Sequence, residues 1–279
     1  MLYDAQDTDA AWNLILQAAH HCPENTETRH CSLAEGSEGS EVRQLLDTFL
    51  PLCRNPAAFS NRRVIGQMGQ SLDGRIATVT GASRYINGED GLRHLHRLRA
   101  ICDAVVIGAG TATEDNPRLT VRMARGPNPV RVVIDRHKRV PEGHHLFSDR
   151  QAPTLRLVAG NHIPGARQLP TAGVLEVPCL TSAKQTMPQS ILQVLGDFGL
   201  QRLFIEGGGR TVSSFLSAGL LDHLHVMVAP MIIGSGRPAF SLPEIEKLND
   251  ALRPSSRMVN LGSDMLFDLD FNLPHQQAF

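Results

Sequence analysis

Read as a string of apolar and polar positions, the chain changes character near residue 60. Before that point the apolar residues fall into two short clusters. Residues 10–19 (AAWNLILQAA) bring Trp12, Leu14, Ile15 and Leu16 close enough together for a short helix. Residues 42–49 (VRQLLDTF) suggest a second helix, ending before Pro51. Residues 20–40 lie between them, dominated by Glu, Thr, Ser and Gly, and read as loop or linker.

Beyond residue 60, short apolar runs alternate with stretches of helical period. Residues 64–70, 103–107, 130–135 and 203–205 read as buried strands, and 154–159 and 174–177 as weaker ones. Residues 88–101 read as a helix, with Asn87 as its cap and Glu89 and Asp90 in its first turn. Leu92, Leu95, Leu98 and Ile101 form its inner stripe, and Arg99 should lie off that stripe. Residues 189–198 make another helix. A third follows Gly209, where Val212, Phe215 and Leu216 repeat at the spacing of one face. Residues 224–228 and 265–271 are strands with no clear helix between them, as antiparallel edges would be. This alternation predicts an α/β fold: a mostly parallel central sheet flanked by helices, with antiparallel edge strands at the C-terminal end. It also divides the chain into an N-terminal helical and linker extension, 1–60, and a main domain, 61–279.

Composition narrows the partners. A net charge of −1 over 279 residues gives no global attraction for nucleic acid or an anionic membrane. No apolar run approaches the roughly 18 residues of a membrane span. Five scattered cysteines without C-x-x-C spacing suit a reducing compartment, and the expected location is cytoplasmic. His20, His21, Cys22, His30 and Cys31 lack the paired spacing of a structural zinc site. His94 and His96, at i and i+2 of one helix, point to different faces. No metal is expected.

The chemistry should gather at strand ends, because ligands of open α/β sheets bind outside the carboxyl ends of strands. The most suggestive stretch is Ile205-Glu206-Gly207-Gly208-Gly209-Arg210-Thr211. A buried strand there runs into a lone acid, three glycines and a helix start. Glycines allow close approach of backbone to a phosphate, and helix N–H groups favour negative charge. The same stretch also fits a tight strand–helix turn with a solvated Glu. Gly108-Ala109-Gly110-Thr111 with Asp115 begins like a dinucleotide loop, but Thr113 stands where a third glycine would be. Asp135-Arg136-His137-Lys138-Arg139 is a basic cluster that either holds a 2′-phosphate or is a solvated charge run. Arg99 and Arg122 are the candidate substrate anchors, since guanidinium forks suit phosphate.

Several stretches recur together and in order: Ser71-Leu72-Asp73-Gly74-Arg75, Gly81-Ala82-Ser83-Arg84-Tyr85-Ile86, Asp103-Ala104-Val105-Val106, Asp115-Asn116-Pro117-Arg118-Leu119-Thr120-Val121-Arg122, Val130-Arg131-Val132-Val133-Ile134-Asp135 and Ile205-Glu206-Gly207-Gly208. As a set spanning residues 63 to 271, they resemble the reductase domain of riboflavin biosynthesis. That domain is the C-terminal half of a bifunctional deaminase–reductase, with a dihydrofolate-reductase-like fold. The resemblance implies NADPH-dependent reduction of 5-amino-6-(5-phosphoribosylamino)uracil by a homodimer. It places Ser83, Arg99, Leu119, Arg122 and Glu206 at substrate positions. Tyr85 (often Trp in the family), Thr111, Asp115, Arg136, Gly207, Gly208, Gly209, Arg210 and Thr211 fall at cofactor positions. Glu206 is the candidate catalytic group, as a proton donor if partial burial raises its pKa. Two departures are evident. Gln67 stands where the family usually has lysine, and residues 1–60 do not resemble the deaminase half. A related reductase recruited to another pyrimidine, pteridine-like or secondary-metabolite substrate, or a non-catalytic nucleotide-binding protein, remains open.

Overall fold

In a computed structural model the described residues are 8–20, 41–53, 62–84, 86–181 and 187–272. They form two compact units, 1–63 and 64–279.

The smaller unit is a pair of helices, α1 (Thr8–His20) and α2 (Glu41–Cys53). Trp12 meets Phe49 edge to face, with ring centroids 5.4 Å apart. The expected stop before Pro51 does not occur, and α2 runs on to Cys53 with Pro51 inside it. Proline forfeits a backbone bond and costs a helix interior about 3 kcal/mol. The last turn offsets this by burying Leu52 and Cys53, and the Cys53 Sγ lies 3.8 Å from the Ile15 carbonyl. Residues 21–40, including the possible metal ligands His21, Cys22, His30 and Cys31, lie outside the described residues.

The larger unit is built on β1 (Arg63–Ser71), β2 (Arg75–Ala77), α3 (Glu89–Ile101), β3 (Ala104–Gly108), α4 (Ala109–Asp115), β4 (Val130–Ile134), α5 (His145–Ser148), β5 (Thr154–Val158), β6 (Val174–Pro178), α6 (Met187–Asp197), β7 (Arg202–Gly207), α7 (Gly209–Ser217), β8 (His223–Ala229), β9 (Arg237–Pro238), β10 (Ser255–Leu261) and β11 (Asp264–Asp270). Nine strands form one sheet in the order β10-β11-β8-β1-β7-β3-β4-β5-β6, and β2 pairs with β9 separately. The pairs from β7 through β3, β4 and β5 to β6 are parallel, as is β1 with β8, whereas β8, β11 and β10 run antiparallel. The strands covered on both faces are the continuous apolar runs: Val105, Val106, Ile107, Leu203, Phe204 and Ile205 are all fully buried. Each such side chain contributes about 2 kcal/mol of burial.

Besides the short α5, β2 and β9, which were not expected, three elements depart from the pattern in ways that shape the sheet and the site. β10 is an extra edge strand, hidden in the sequence because only Val259 along it is buried. α4 forms where a loop was expected, since Ala109-Gly110-Thr111-Ala112 continues straight from the end of β3. On α3, Leu92 is 42% exposed and not part of the inner stripe. The inward positions include Gly91, His94, Leu98 and Ile101, and Arg99 is itself buried. Gly91 is required by close approach, because a Cβ there would sit 2.8 Å from Asp264 Oδ2 and 3.3 Å from Met227 Sδ.

Candidate active site

Because β3 and β7 pair in parallel, Gly108 and Gly207 end side by side, and each strand runs directly into a helix. No side chain caps the N-terminus of α4 or α7. Gly208 has φ 71°, in the region that favours glycine, and an added Cβ would lie 2.8 Å from Thr111 Oγ1. At Gly209 a Cβ would meet the Ala239 carbonyl oxygen at 2.5 Å. At Gly108 it would meet Thr211 Oγ1 at 2.8 Å. Thr111 and Thr211 thus bracket a turn in which Gly108, Gly208 and Gly209 have no room for a Cβ. This cradle of backbone N–H groups and two hydroxyls fits the phosphates of a dinucleotide.

Beside the cradle, Glu206 is gripped from both sides by Arg99. Arg99 Nε donates to Oε2 at 2.7 Å and Nη2 to Oε1 at 2.5 Å. The side chains are 5% and 11% exposed. The third arm of Arg99, Nη1, donates to the Thr120 carbonyl at 3.0 Å. Arg122 Nη1 donates to Thr120 Oγ1 at 2.7 Å. Burial, then the neighbouring Arg99 and Arg118 guanidiniums, lower the pKa of Arg122. With Arg99 spent on Glu206, the Arg122 guanidinium stands beside like charges, a strain that an anion would relieve.

The segment that carries these groups is shaped by backbone rather than by regular structure. Asn116 ends α4 at φ 42°, and its Oδ1 accepts the His145 N–H at 2.8 Å. Leu119 is buried at φ 53°, unusual for a leucine. Across from α4, residues 80–84 and Arg237 close a cleft of about 450 Å³ that also contains Ser83, Glu114 and Asp115. Burial, then the Glu114 charge, raises the pKa of the Asp115 carboxyl. Arg237 is tied to Glu114 at 2.6 Å.

Of the residues expected at the site, Arg99, Thr111, Glu206 and the 207–211 turn meet at the ends of β3 and β7, Arg122 and Leu119 lie on the segment that Arg99 binds, and Ser83 and Asp115 share the cleft at the far end of α4. Arg136 is exposed at the end of β4, one strand further along. The basic cluster around it is held by Asp135, which is fully buried and accepts the Arg139 and Val140 N–H groups at 2.8 and 3.1 Å. Tyr85 lies outside the described residues. Gln67 is buried in β1.

Residues 62–266 match the family model of the RibD C-terminal domain. The chain belongs to this family. It is 38% identical over 212 residues to the 2,5-diamino-6-ribosylamino-4(3H)-pyrimidinone 5′-phosphate reductase of Methanothermobacter thermautotrophicus, covering 74% of this chain and 96% of that protein. The riboflavin biosynthesis protein RibD of Aquifex aeolicus is 34% identical over 228 residues, 81% of this chain but only 61% of that RibD. The solved structure of Acinetobacter baumannii RibD superposes with a TM-score of 0.63 at 24% identity, over 82% of this chain and 62% of that one. The shared fold is dihydrofolate-reductase-like, and the relatives include named reductases of riboflavin biosynthesis. Among the described residues no helix is long and apolar enough to cross a membrane, and no group of three His, Cys, Asp or Glu is placed to hold a metal.

In this RibD C-terminal domain the sequence reading passed over two groups. Thr120 links the two arginines through its carbonyl and its hydroxyl. His96, weighed only as a metal ligand, accepts the Arg122 N–H. The signal for His96 was present: it precedes Arg99 by three residues on a helix, and so shares its face.

Proposed function

We propose that the chain is an NADPH-dependent reductase acting on a phosphoribosylaminopyrimidine such as 5-amino-6-(5-phosphoribosylamino)uracil. The observation that carries this reading is the adjacency of a glycine-built cradle, at the ends of β3 and β7, and the arginines beside Glu206. One suits a dinucleotide and the other an anionic sugar. The Gly207–Thr211 turn, with Thr111, would hold the cofactor's phosphates. Arg136, exposed at the next strand end, is the proposed partner of the 2′-phosphate. Asp115 and Tyr85 complete the proposed cofactor contacts.

When bound, NADPH supplies the hydride that C1 of the ribose receives as its bond to the ring oxygen breaks and that oxygen takes a proton. The chain's contribution is chiefly position. Arg122, with Arg99 behind it, would fix the phosphate, while Ser83 and Leu119 border the sugar and base. Glu206 accepts two N–H groups from Arg99, so both its oxygens act as acceptors. Its proposed catalytic part is that of an orienting group at the reacting sugar, held in place by Arg99. Asp115, whose burial favours the protonated form, is better suited to keep a proton near the cleft.

A second reading of the substrate has an observation of its own. The Methanothermobacter reductase, matched over 96% of its length, is named for a pyrimidinone that keeps its 2-amino group. Presenting both compounds to the purified protein with NADPH, and following the loss of reduced-nicotinamide absorbance, decides between them. Turnover of the uracil at the higher kcat/KM supports the first reading, and preference for the 2-amino compound supports the second. NADPH binding without turnover of either would leave a nucleotide-binding protein. We further propose a cytoplasmic homodimer, on the strength of the family resemblance.

A further inference from the structure

His94 and His96 lie two residues apart on α3 and are both buried, yet they serve different neighbours. His94 Nε2 lies 2.8 Å from His225 Nδ1, on the side of the antiparallel edge strands. His96 faces the arginine segment, where its Nδ1 accepts the Arg122 backbone N–H at 3.0 Å. An imidazole nitrogen can accept only while it carries a lone pair, so the ring must be neutral with its hydrogen on Nε2. The surroundings enforce that state. Burial, then the charges of Arg99 and Arg122, bring its pKa down to about 4.

The segment that His96 touches has no regular structure and is held by individual bonds, among them Val121 N–H to Asn128 Oδ1 at 2.8 Å. Leu119 holds a left-handed backbone, and Thr120 spends its carbonyl and hydroxyl on Arg99 and Arg122. The helix that carries Arg99 fastens this segment twice, through Arg99 at the Thr120 carbonyl and through His96 at the Arg122 N–H, and only the second bond reaches the backbone of Arg122 itself. His96 and Arg99 lie three residues apart on α3. One helical face therefore fixes both guanidiniums: Arg99 directly, and Arg122 through the imidazole.

We propose that His96 is a positioning residue for the anionic half of the substrate, setting Arg122 against the Arg99–Glu206 pair by accepting its backbone N–H. The proposal rests on the reading that these arginines meet the sugar phosphate. A histidine that merely fills the core would lower the melting temperature on removal and leave anion affinity untouched. The probe is ribose 5-phosphate, titrated calorimetrically into the wild type, His96→Leu, His96→Asn and His96→Gln, with NADPH affinity measured in parallel. Asn places an acceptor oxygen near the position of Nδ1, Gln places it near Nε2, and Leu has none.

The Leu variant is expected to bind ribose 5-phosphate about tenfold more weakly, as loss of one fixing hydrogen bond implies, and the Asn variant within about threefold of wild type. NADPH affinity should stay within about twofold in all of them. If the Leu variant does not fold, the Asn and Gln pair decides, with Gln expected to lose affinity and Asn to keep it. Wild-type affinity in the Leu variant, equal affinities in Asn and Gln, or a parallel loss of NADPH binding would overturn the proposal. A wild type that does not bind ribose 5-phosphate refutes the arginine–phosphate reading, and this proposal with it. Wild-type binding that is indifferent to residue 96 refutes this proposal alone.

Discussion

Two buried arginine–carboxylate pairs, Arg156–Asp135 and Arg99–Glu206, look alike in outline and differ in what is left over. In the first, Arg156 Nε and Nη2 both reach Asp135 Oδ2, at 3.0 and 2.8 Å. Asp135 also accepts two backbone N–H groups, while Arg156 closes on Glu142 and on the Val140 carbonyl. Burial disfavours the Asp135 carboxylate, but these donors outweigh it and its pKa is lowered. Every strong hydrogen-bonding direction is used. In the second pair, Glu206 receives Arg99 alone among the bonds seen, and a carboxylate has room for about four. The Glu206 charge acts on both neighbours, favouring the protonated form of Asp115 and of Arg122. A saturated pair fastens a turn after β4. An unsaturated pair at the end of β7, beside a cleft, keeps capacity for a ligand.

The comparison can be broken by substitution. The largest effect should come from Asp135→Asn, which strands the Arg156 charge in the core. A loss of about 3–5 kcal/mol in denaturant unfolding is expected, as for other broken buried pairs, with kcat of the remaining folded protein near normal. An equal loss of kcat and stability would show that the first pair also serves the site. Glu206→Gln should do the reverse. Turnover is expected to fall about 10- to 100-fold, with NADPH affinity within about twofold and a smaller stability change. Unchanged kcat in that variant removes Glu206 from the chemistry.

The smallest effect is on the pH dependence of stability. Folded His96 stays neutral down to about pH 4, whereas its ordinary value is 6.5, and burial and His225 likewise lower His94. Between those values the unfolded chain binds more protons, so stability falls as pH drops from about 6.5 towards 4. Asp73 acts in the same direction, but lower in pH. The Ser71 hydroxyl and the Ile233 and Gly234 N–H groups bring its pKa from 3.8 to about 2, so its contribution is present above 3.8 and lost below. Thermal melts should show a gradual decline of roughly several degrees in the first window, lessened in His96→Asn. A flat profile down to pH 4 would contradict the burial of neutral imidazoles.

What could be read in the sequence follows from what each signal depends on. The central strands were legible because burial on both faces leaves unbroken apolar runs, as at 104–107 and 203–205. α4 was not, because two glycines within four residues read as a loop until the parallel strand ends are placed side by side. Leu92 was assigned inward and is exposed, whereas Arg99 was assigned outward and is buried. Helical period gives an angle but not which angle meets the sheet. Here a glycine, a histidine and an arginine take the inner places that leucines would ordinarily claim. The cradle at 207–211 was legible through its glycines, whose necessity the Ala239 carbonyl and Thr111 hydroxyl explain. The bond from Arg122 to His96 spans 26 residues and depends on tertiary placement, so no local pattern announces it.

Leu119 is held in a backbone conformation that glycine would accept freely and that costs an L-residue with a Cβ about 1–2 kcal/mol. The chain thus gives up some resistance to heat at a single link so that a wide hydrocarbon can plug the interior there. Shape, at that link, outranks comfort.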